Sequence, residues 1–384
     1  MLDTLTTTLT ERRAKGLYRQ RRIVAGPQSV LQQVDGRELL TFCSNDYLGL
    51  AADPRLSEAL VRGAQQYGVG SGAAHLVSGH TKAHHALEEA LAAFVGAERA
   101  LLFSTGYMAN LGVLTALIKT GDHILQDRLN HASLLDGARL SAGRLHRYRH
   151  RDLADLRRLL HKVTGRRMIV SDGVFSMDGD LAPMTALCEI AEQHQAVLMI
   201  DDAHGFGVLG KQGRGLVTPG QVPIYVATLG KALGVAGAFV AGSTELIETL
   251  IQQARSYIYT TAMPAALAEA ARTSLQIVAE EQWRRDHLQG LIRFFRHEAK
   301  LLGLPILNST TPIQPLILGS AEAANAWSQM LLQQGILVTA IRPPTVPVGS
   351  ARLRITFSAA HQIEQIEQLL TGLQQCRADC PLIG

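Results

Sequence analysis

Lys231 is the only charged residue in the run VPIYVATLGKALGVAGAFVAG, Val222–Gly242, and that run follows MIDDAHGFG at Met199–Gly207. An amine set in so much apolar sequence has to be neutralised, paired or used. Burial lowers a lysine pKa by disfavouring the charged form, and a neutral amine is the nucleophile that condenses with a carbonyl. A membrane helix does not fit the run, because a central lysine costs about 2.5–3.5 kcal/mol on insertion scales, and Pro223 and several glycines interrupt it. Two short buried strands, Ile224–Thr228 and Gly237–Ala241, with Lys231 on the glycine-flanked turn between them, fit better. Taken alone, a lysine on such a turn is ordinarily solvated.

Its neighbours point to chemistry. An apolar strand, Ala196–Ile200, runs into Asp201, Asp202 and His204, and open α/β sheets bind ligands beyond the carboxyl ends of their strands. A carboxylate there could bind a metal with His204, cap a helix or hold a protonated ring nitrogen. A metal needs further ligands at suitable spacing, and none stands nearby. His80 and His84 are i, i+4 on an expected helix, but Lys82 between them and His85 beside them read as a polar, solvated face. In FSTGYMANLGV the Ser104-Thr105-Gly106-Tyr107 turn opens a helix, whose free N–H groups favour a phosphate or need only a simple cap.

The elements that position these residues follow from periodicity. The first twenty or so residues read as a helix, and SVLQQVDGRELLTF reads as a hairpin with Asp35-Gly36 at its turn. Strands are expected at Leu101–Phe103, His123–Gln126, Leu145–Tyr148, Met168–Ser171, Val197–Ile200, Ile224–Thr228 and Gly237–Ala241, with amphipathic stretches between most of them. That order implies an α/β fold with a mainly parallel sheet covered on both faces. A helical stretch from about Pro264 to Leu302 leads to a smaller α/β lobe. Its expected strands are Ile313–Leu318, Ile336–Ala340 and Arg352–Phe357, and its helices Ala321–Gln334 and Gln362–Gln375. The expected division is 1–44 as an N-terminal helix and hairpin segment, 45–290 as a large domain and 291–384 as a small C-terminal domain.

Composition bounds the function without choosing it. The chain has 384 residues, 47% hydrophobic, and a formal net charge of +4. Its basic residues are scattered apart from RRAKGLYRQRR at Arg12–Arg22, so nucleic acid is not an expected partner. Cys43, Cys188, Cys376 and Cys380 contain no C-x-x-C pair, and MLDTLTTTLTERRAKG lacks the apolar core of a signal peptide. A cytoplasmic protein with free thiols, no membrane span and no metal is the expectation.

DDAHGFGVLG, with the lysine of TLGKALG some 27 residues on, resembles the pyridoxal-phosphate enzymes of the aspartate-aminotransferase fold, fold type I. SNDYLGL at Ser44–Leu50, GVGSG at Gly68–Gly72, DRLNHASLLDGARLS at Asp127–Ser141, DGVFSMDGDLAP at Asp172–Pro183 and IRPPTVPVGSARLRITFSAAH at Ile341–His361 resemble the α-oxoamine synthases. The resemblance covers nearly the whole chain in order. The form IRPPTVP and the short length are most similar to the branch that condenses L-alanine with a pimeloyl thioester, on coenzyme A or acyl carrier protein, early in biotin formation.

The resemblance implies roles residue by residue. Lys231 would carry the pyridoxal 5'-phosphate and serve as base, Asp201 would pair with its pyridine nitrogen, and His204 would hydrogen-bond near its phenolic oxygen. His131 would stack on the ring and face substrate, although beside Asn130 and Ser133 it could equally begin a helix. Gly106 and Tyr107 would sit at the phosphate, and Ser176 and Thr228 would be hydroxyl partners of the cofactor or plain turn and strand-end residues. Thr260 and Thr261, in YIYTTAMP, resemble a segment that reaches the phosphate from a partner subunit, which implies a homodimer with shared sites. On the substrate side, Arg342 resembles a carboxylate-gripping arginine, Arg354 is a further candidate, and Arg19, Asn45 and Thr345 resemble substrate-facing residues. Arg19 could equally be a solvated helix charge.

Two departures stand out: Asp172 replaces a usual Glu, and the glycine-rich loop reads GSGAAHLVSG without the Gly-Gly and Arg of many members. Competing readings are a sister synthase using glycine and a short acyl thioester, an aminotransferase, and a non-catalytic regulator on the same fold. The regulator would carry an appended helix-turn-helix, for which the first forty residues are too few.

Overall fold

Runs such as Ile169–Val170 and Leu198–Ile200 are apolar at successive positions, so both faces of those strands must be covered. The computed structural model describes residues 2–216 and 221–380. Its contacts group the chain into two units, Leu48–Ser176 with Leu181–Arg285, and Met1–Tyr47 with Met177–Asp180 and Asp286–Gly384. The N-terminal part supplies β1 (Val24–Ala25), β2 (Leu31–Val34) and β3 (Arg37–Thr41). The middle supplies β4 (Arg99–Phe103), β5 (His123–Asp127), β6 (Arg144–Tyr148), β7 (Arg167–Asp172), β8 (Val197–Asp201), β9 (Ile224–Thr228) and β10 (Ala238–Gly242). The C-terminal part supplies β11 (Ile313–Gly319), β12 (Ile336–Leu337), β13 (Thr339–Ile341) and β14 (Ala351–Thr356).

The first unit holds the seven-stranded sheet, in the order β4-β10-β9-β8-β7-β5-β6. β9, β8, β7, β5 and β6 pair in parallel, while β10 runs antiparallel to both β9 and β4. Alternate residues point to opposite faces, as a two-residue period requires. Ile124, Met168, Val170 and Met199 join one core with the helices Gly106–Leu117 and Ala132–Leu140. Leu125, Ile169, Leu198 and Ile200 join the other with the helices Leu153–Leu160 and Met184–Gln193.

In the second unit β2 and β3 form the expected hairpin, and Asp35 (φ 51°) and Gly36 (φ 78°) make its two-residue turn in the left-handed region. The single strand expected at Ile336–Ala340 is two. β12 pairs in parallel with β3, β13 pairs antiparallel with β14, and the chain changes sheets at the fully buried Val338. The long helical stretch likewise breaks into Ala265–Glu280 and Gln282–Leu301 at Glu281. The Glu281 carboxylate is clamped by Arg55 at 2.7 Å and Arg284 at 2.6 Å.

The polar face expected at His80 and His84 needs correcting. His84 is fully buried, because its Nδ1 accepts the Thr81 N–H (3.1 Å) at the start of the helix Lys82–Val95 and its Nε2 donates to the Met263 carbonyl (2.7 Å). Among the described residues no helix is long and apolar enough to cross a membrane.

Candidate active site

β4, β5, β7, β8 and β9 all run the same way, so their carboxyl ends share one edge of the sheet. Ser104 and Thr105 follow β4, His131 lies beyond β5, Asp172 ends β7, Asp201 ends β8 and Thr228 ends β9. Asp172 and Asp201 are register partners on adjacent strands. The site candidates His131, Asp201 and Thr228, with Asp172 and the Ser104-Thr105 turn, thus meet at the edge where open α/β sheets bind ligands.

Lys231 lies on the β9–β10 connection, half-buried, with its Nζ 3.0 Å from His204 Nε2. His204 is buried. Either the amine donates to an unprotonated Nε2, or Nε2–H donates to a neutral amine. In both arrangements at most one partner is charged, and a nucleophile or base requires that the amine be the neutral one. The connection is held by Thr228, whose Oγ1 donates to the Gly237 carbonyl (2.9 Å) and accepts the Gly230 N–H (3.2 Å).

The Asp201 carboxylate is buried and oriented. Its Oδ2 accepts Asn110 Nδ2 at 2.6 Å and its Oδ1 accepts the Ala203 N–H at 3.0 Å. Asn110 also donates to Ser133 Oγ (2.8 Å), which lies 2.7 Å from His131 Nδ1. The Ser133 N–H points at the same nitrogen (3.3 Å), so Nδ1 is the acceptor and the neutral ring carries its proton on Nε2. His131 therefore does begin a helix, as the cap of Ala132–Leu140, and it remains solvent-exposed. Partial desolvation of the ring holds its pKa below the usual value; the Asp201 charge opposes this and the Lys231 charge adds to it.

Asn110 and Ser133 were not singled out from sequence. The available signal was a lone amide on the otherwise apolar helix Gly106–Leu117, in which Asn110 is fully buried and its Oδ1 has no hydrogen-bond partner among the described residues. Asp172 is buried too and accepts the His131 N–H at 2.7 Å. Burial, then the Asp201 charge, push its pKa well above the carboxylate range.

The remaining candidates are spread along the same unit. Gly106 opens its helix behind Thr105, whose hydroxyl accepts the Met108 N–H (3.2 Å). Tyr107 lies edge-on to His131, centroids 6.4 Å apart, and its hydroxyl donates to the Asp136 carboxylate. Ser176 is half-buried in the turn after β7. Thr260 and Thr261 lie between the helices Arg255–Ile258 and Ala265–Glu280, and Thr261 bridges to Ala74.

The second unit gathers the substrate-side candidates. Arg19, Arg342 and Thr345 line one cavity of about 290 Å³ together with Arg12 and Tyr18. Arg342 donates to the Gly16 carbonyl. Asn45 lies elsewhere in this unit, where its Oδ1 accepts both terminal nitrogens of Arg354 (3.1 and 3.2 Å) and the Tyr47 hydroxyl (3.1 Å). Arg352 forms a buried ion pair with Asp178, a structural use of an arginine.

Known proteins resemble this chain over nearly its whole length. Residues 37–373 match the sequence model of the class I and II aminotransferases. The 8-amino-7-oxononanoate synthase of Nitrosococcus oceani is 60% identical over 373 residues, 96% of this chain and 99% of the relative. A serine palmitoyltransferase solved with pyridoxal phosphate as an internal aldimine superposes with a TM-score of 0.94 at 28% identity, covering 100% of this chain and 98% of that one. The 8-amino-7-oxononanoate synthase of Francisella tularensis superposes at 0.77 with 34% identity, covering 88% and 97%. With a lysine, a buried aspartate and two histidines at one strand edge, and with kinship along nearly its full length, the chain belongs to the 8-amino-7-oxononanoate synthases of the class I and II aminotransferase family.

Proposed function

We propose that this chain condenses L-alanine with a pimeloyl thioester, carried by coenzyme A or acyl carrier protein, to 8-amino-7-oxononanoate in biotin biosynthesis. The α-carbon of alanine bonds to the acyl carbonyl carbon, the C–S bond breaks and releases the thiol, and the alanine carboxyl leaves as carbon dioxide. The observation that carries this reading is the Lys231 Nζ–His204 Nε2 pair beside the Asn110-held Asp201 carboxylate at one sheet edge.

Pyridoxal 5'-phosphate, when bound, supplies the electron-withdrawing ring that stabilises negative charge at the amino-acid α-carbon. The residues present fit it. Asp201, fixed by two N–H donors, offers an anionic acceptor for a pyridinium proton. The helix start behind Thr105, at Gly106 and Tyr107, offers backbone N–H groups to a phosphate. His131 holds an exposed neutral ring, and Ser176, Thr228 and His204 bring polar groups to the same strand edge. Lys231 Nζ takes the α-proton of alanine and returns one to the product, with His204 as the neighbour that shares its hydrogen bond. In the second unit, the Arg19, Arg342 and Thr345 cavity suits an anionic substrate group, and the guanidinium of Arg354 beside Asn45 is a further carboxylate partner.

The dimer belongs to this reading. Val69, Leu76, Val77 and Tyr259 are exposed apolar side chains on segments joined by the Ala74–Thr261 bridge. Such a patch marks an interface, and Thr260 and Thr261 would serve the partner's site from it. The test is product mass after mixing cofactor-loaded protein with L-alanine or glycine and thioesters from acetyl to pimeloyl. Condensation only with pimeloyl and alanine is expected, whereas preference for a short acyl group with glycine would overturn the substrate assignment.

A further inference from the structure

The glycine-rich loop GSGAAHLVSG places His75 against a histidine pair the reaction does not use. His75 Nδ1 and His80 Nδ1 are 3.0 Å apart, and His84 offers a ring nitrogen within 4.8 Å of theirs. Two neutral imidazoles in a hydrogen bond need only one proton between their facing nitrogens. Moving that proton to the far side of its ring leaves two lone pairs converging on one point. Tetrahedral zinc with bonds of about 2.0–2.1 Å needs its nitrogens about 3.3 Å apart, so the pair has to open by only a few tenths of an ångström.

One of the three rings has the surroundings of a metal-bound histidine, which donates its outer N–H to a carbonyl or carboxylate. His84 Nε2 donates to the Met263 carbonyl at 2.7 Å, which keeps Nδ1 unprotonated. His80 Nε2 lies 3.9 Å from Glu88 Oε2. His75 is fixed by stacking on Tyr257, centroids 5.0 Å apart and planes 12° apart. Two contacts compete at His84 Nδ1, the Thr81 N–H (3.1 Å) and the Thr81 hydroxyl (3.0 Å), and a metal would displace both.

We propose that His75, His80 and His84 form a binding site for one divalent transition metal of zinc-like softness, with water completing its coordination. The metal would tie the His75–Gly79 turn to the segment ending at Met263. None of the three residues belongs to the Lys231 site. The proposal is therefore independent of the substrate assignment.

The probe is Co²⁺ alone, titrated into the cofactor-loaded full chain in metal-free buffer and followed by its visible absorption. One equivalent per chain with intense four- or five-coordinate bands, displaced by Zn²⁺, is expected. His80→Asn should weaken binding at least tenfold while leaving the cofactor absorbance and the metal-free melting temperature unchanged, and His75→Asn provides a second variant should His80→Asn fail to fold. Weak six-coordinate absorption only, or an unchanged affinity in the folded variants, would overturn the site.

Discussion

At the scale of single residues the edge of the large sheet is a balance of buried carboxyls. Asp202 is fully buried and burial pushes its pKa up to about 7, although it accepts the Leu216 N–H (2.7 Å) and the Tyr225 hydroxyl (3.1 Å). Its other oxygen has no hydrogen-bond partner among the described residues, and three glycines, Gly173, Gly205 and Gly215, pack so closely that a Cβ on any of them would strike the carboxyl. A raised folded-state pKa means the native protein binds the proton more tightly than the unfolded chain. Stability from this group is therefore greatest below the unfolded value of 3.8 and declines as pH rises towards about 7. Glu88, also pushed up to about 7 by burial, adds to the same trend. Urea titrations between pH 4 and 8 should show this decline, and Asp202→Asn should flatten it. A variant as steep as the parent would move the origin elsewhere. Lys231→Ala should lose at least a thousandfold in turnover, because no other amine replaces its Nζ as base. Full activity in that variant would falsify the assignment. Asn110→Ala should leave the Asp201 carboxylate loosely oriented, seen as a shifted cofactor absorbance and pH profile more than as a lower melting temperature.

At the scale of elements, the Lys231 connection depends on glycine at a position where backbone crowding decides. Gly234 has φ 66° and donates to the Lys231 carbonyl (2.8 Å), and a Cβ there would meet the backbone of Leu50 and Ala51. Gly234→Ala should cost about 1–3 kcal/mol in denaturant unfolding and slow turnover by displacing Nζ. An unchanged kcat would show that the connection tolerates the shift. The same connection shows what the sequence makes legible. A charge in an apolar run, flanked by glycines and preceded by DDAH, marks a lysine on a turn beyond two strands. The break at Glu281 and the change of sheet at Val338 had no local signal, since neither residue is a glycine or proline and each has a partner far away in sequence, Arg55 for Glu281 and β3 for the strand before Val338. His84 was misread for a related reason. Two polar neighbours in sequence suggested solvent, whereas its burial is set by Met263, 179 residues away. Asn110 escaped notice because an amide on an apolar helix gains meaning only when Asp201 arrives from another strand.

At the scale of the whole molecule, the question is whether one chain completes a site. Thr260 and Thr261 sit beside exposed apolar side chains at Val77 and Tyr259, where a second copy would bury them. If the two threonines act across a dimer, then Lys231→Ala on one protomer and Thr261→Ala on the other fall in the same site of a mixed pair and leave the second site intact. The protomer that keeps Lys231 receives an intact Thr261 from its partner, and the reciprocal site carries both defects. Random pairing after mixed refolding makes half the dimers heterodimers with one good site each, so activity should recover to about a quarter of the parent level. Thr261→Ala alone should be strongly impaired through weaker cofactor binding, measured by absorbance titration. If Thr261 served its own chain, every mixed dimer would hold one dead and one impaired site, and the mixture would not rise above the mean of the two variants. Recovery thus distinguishes a shared site from a pair of self-sufficient ones, and it does so with both variants in the same tube under the same conditions.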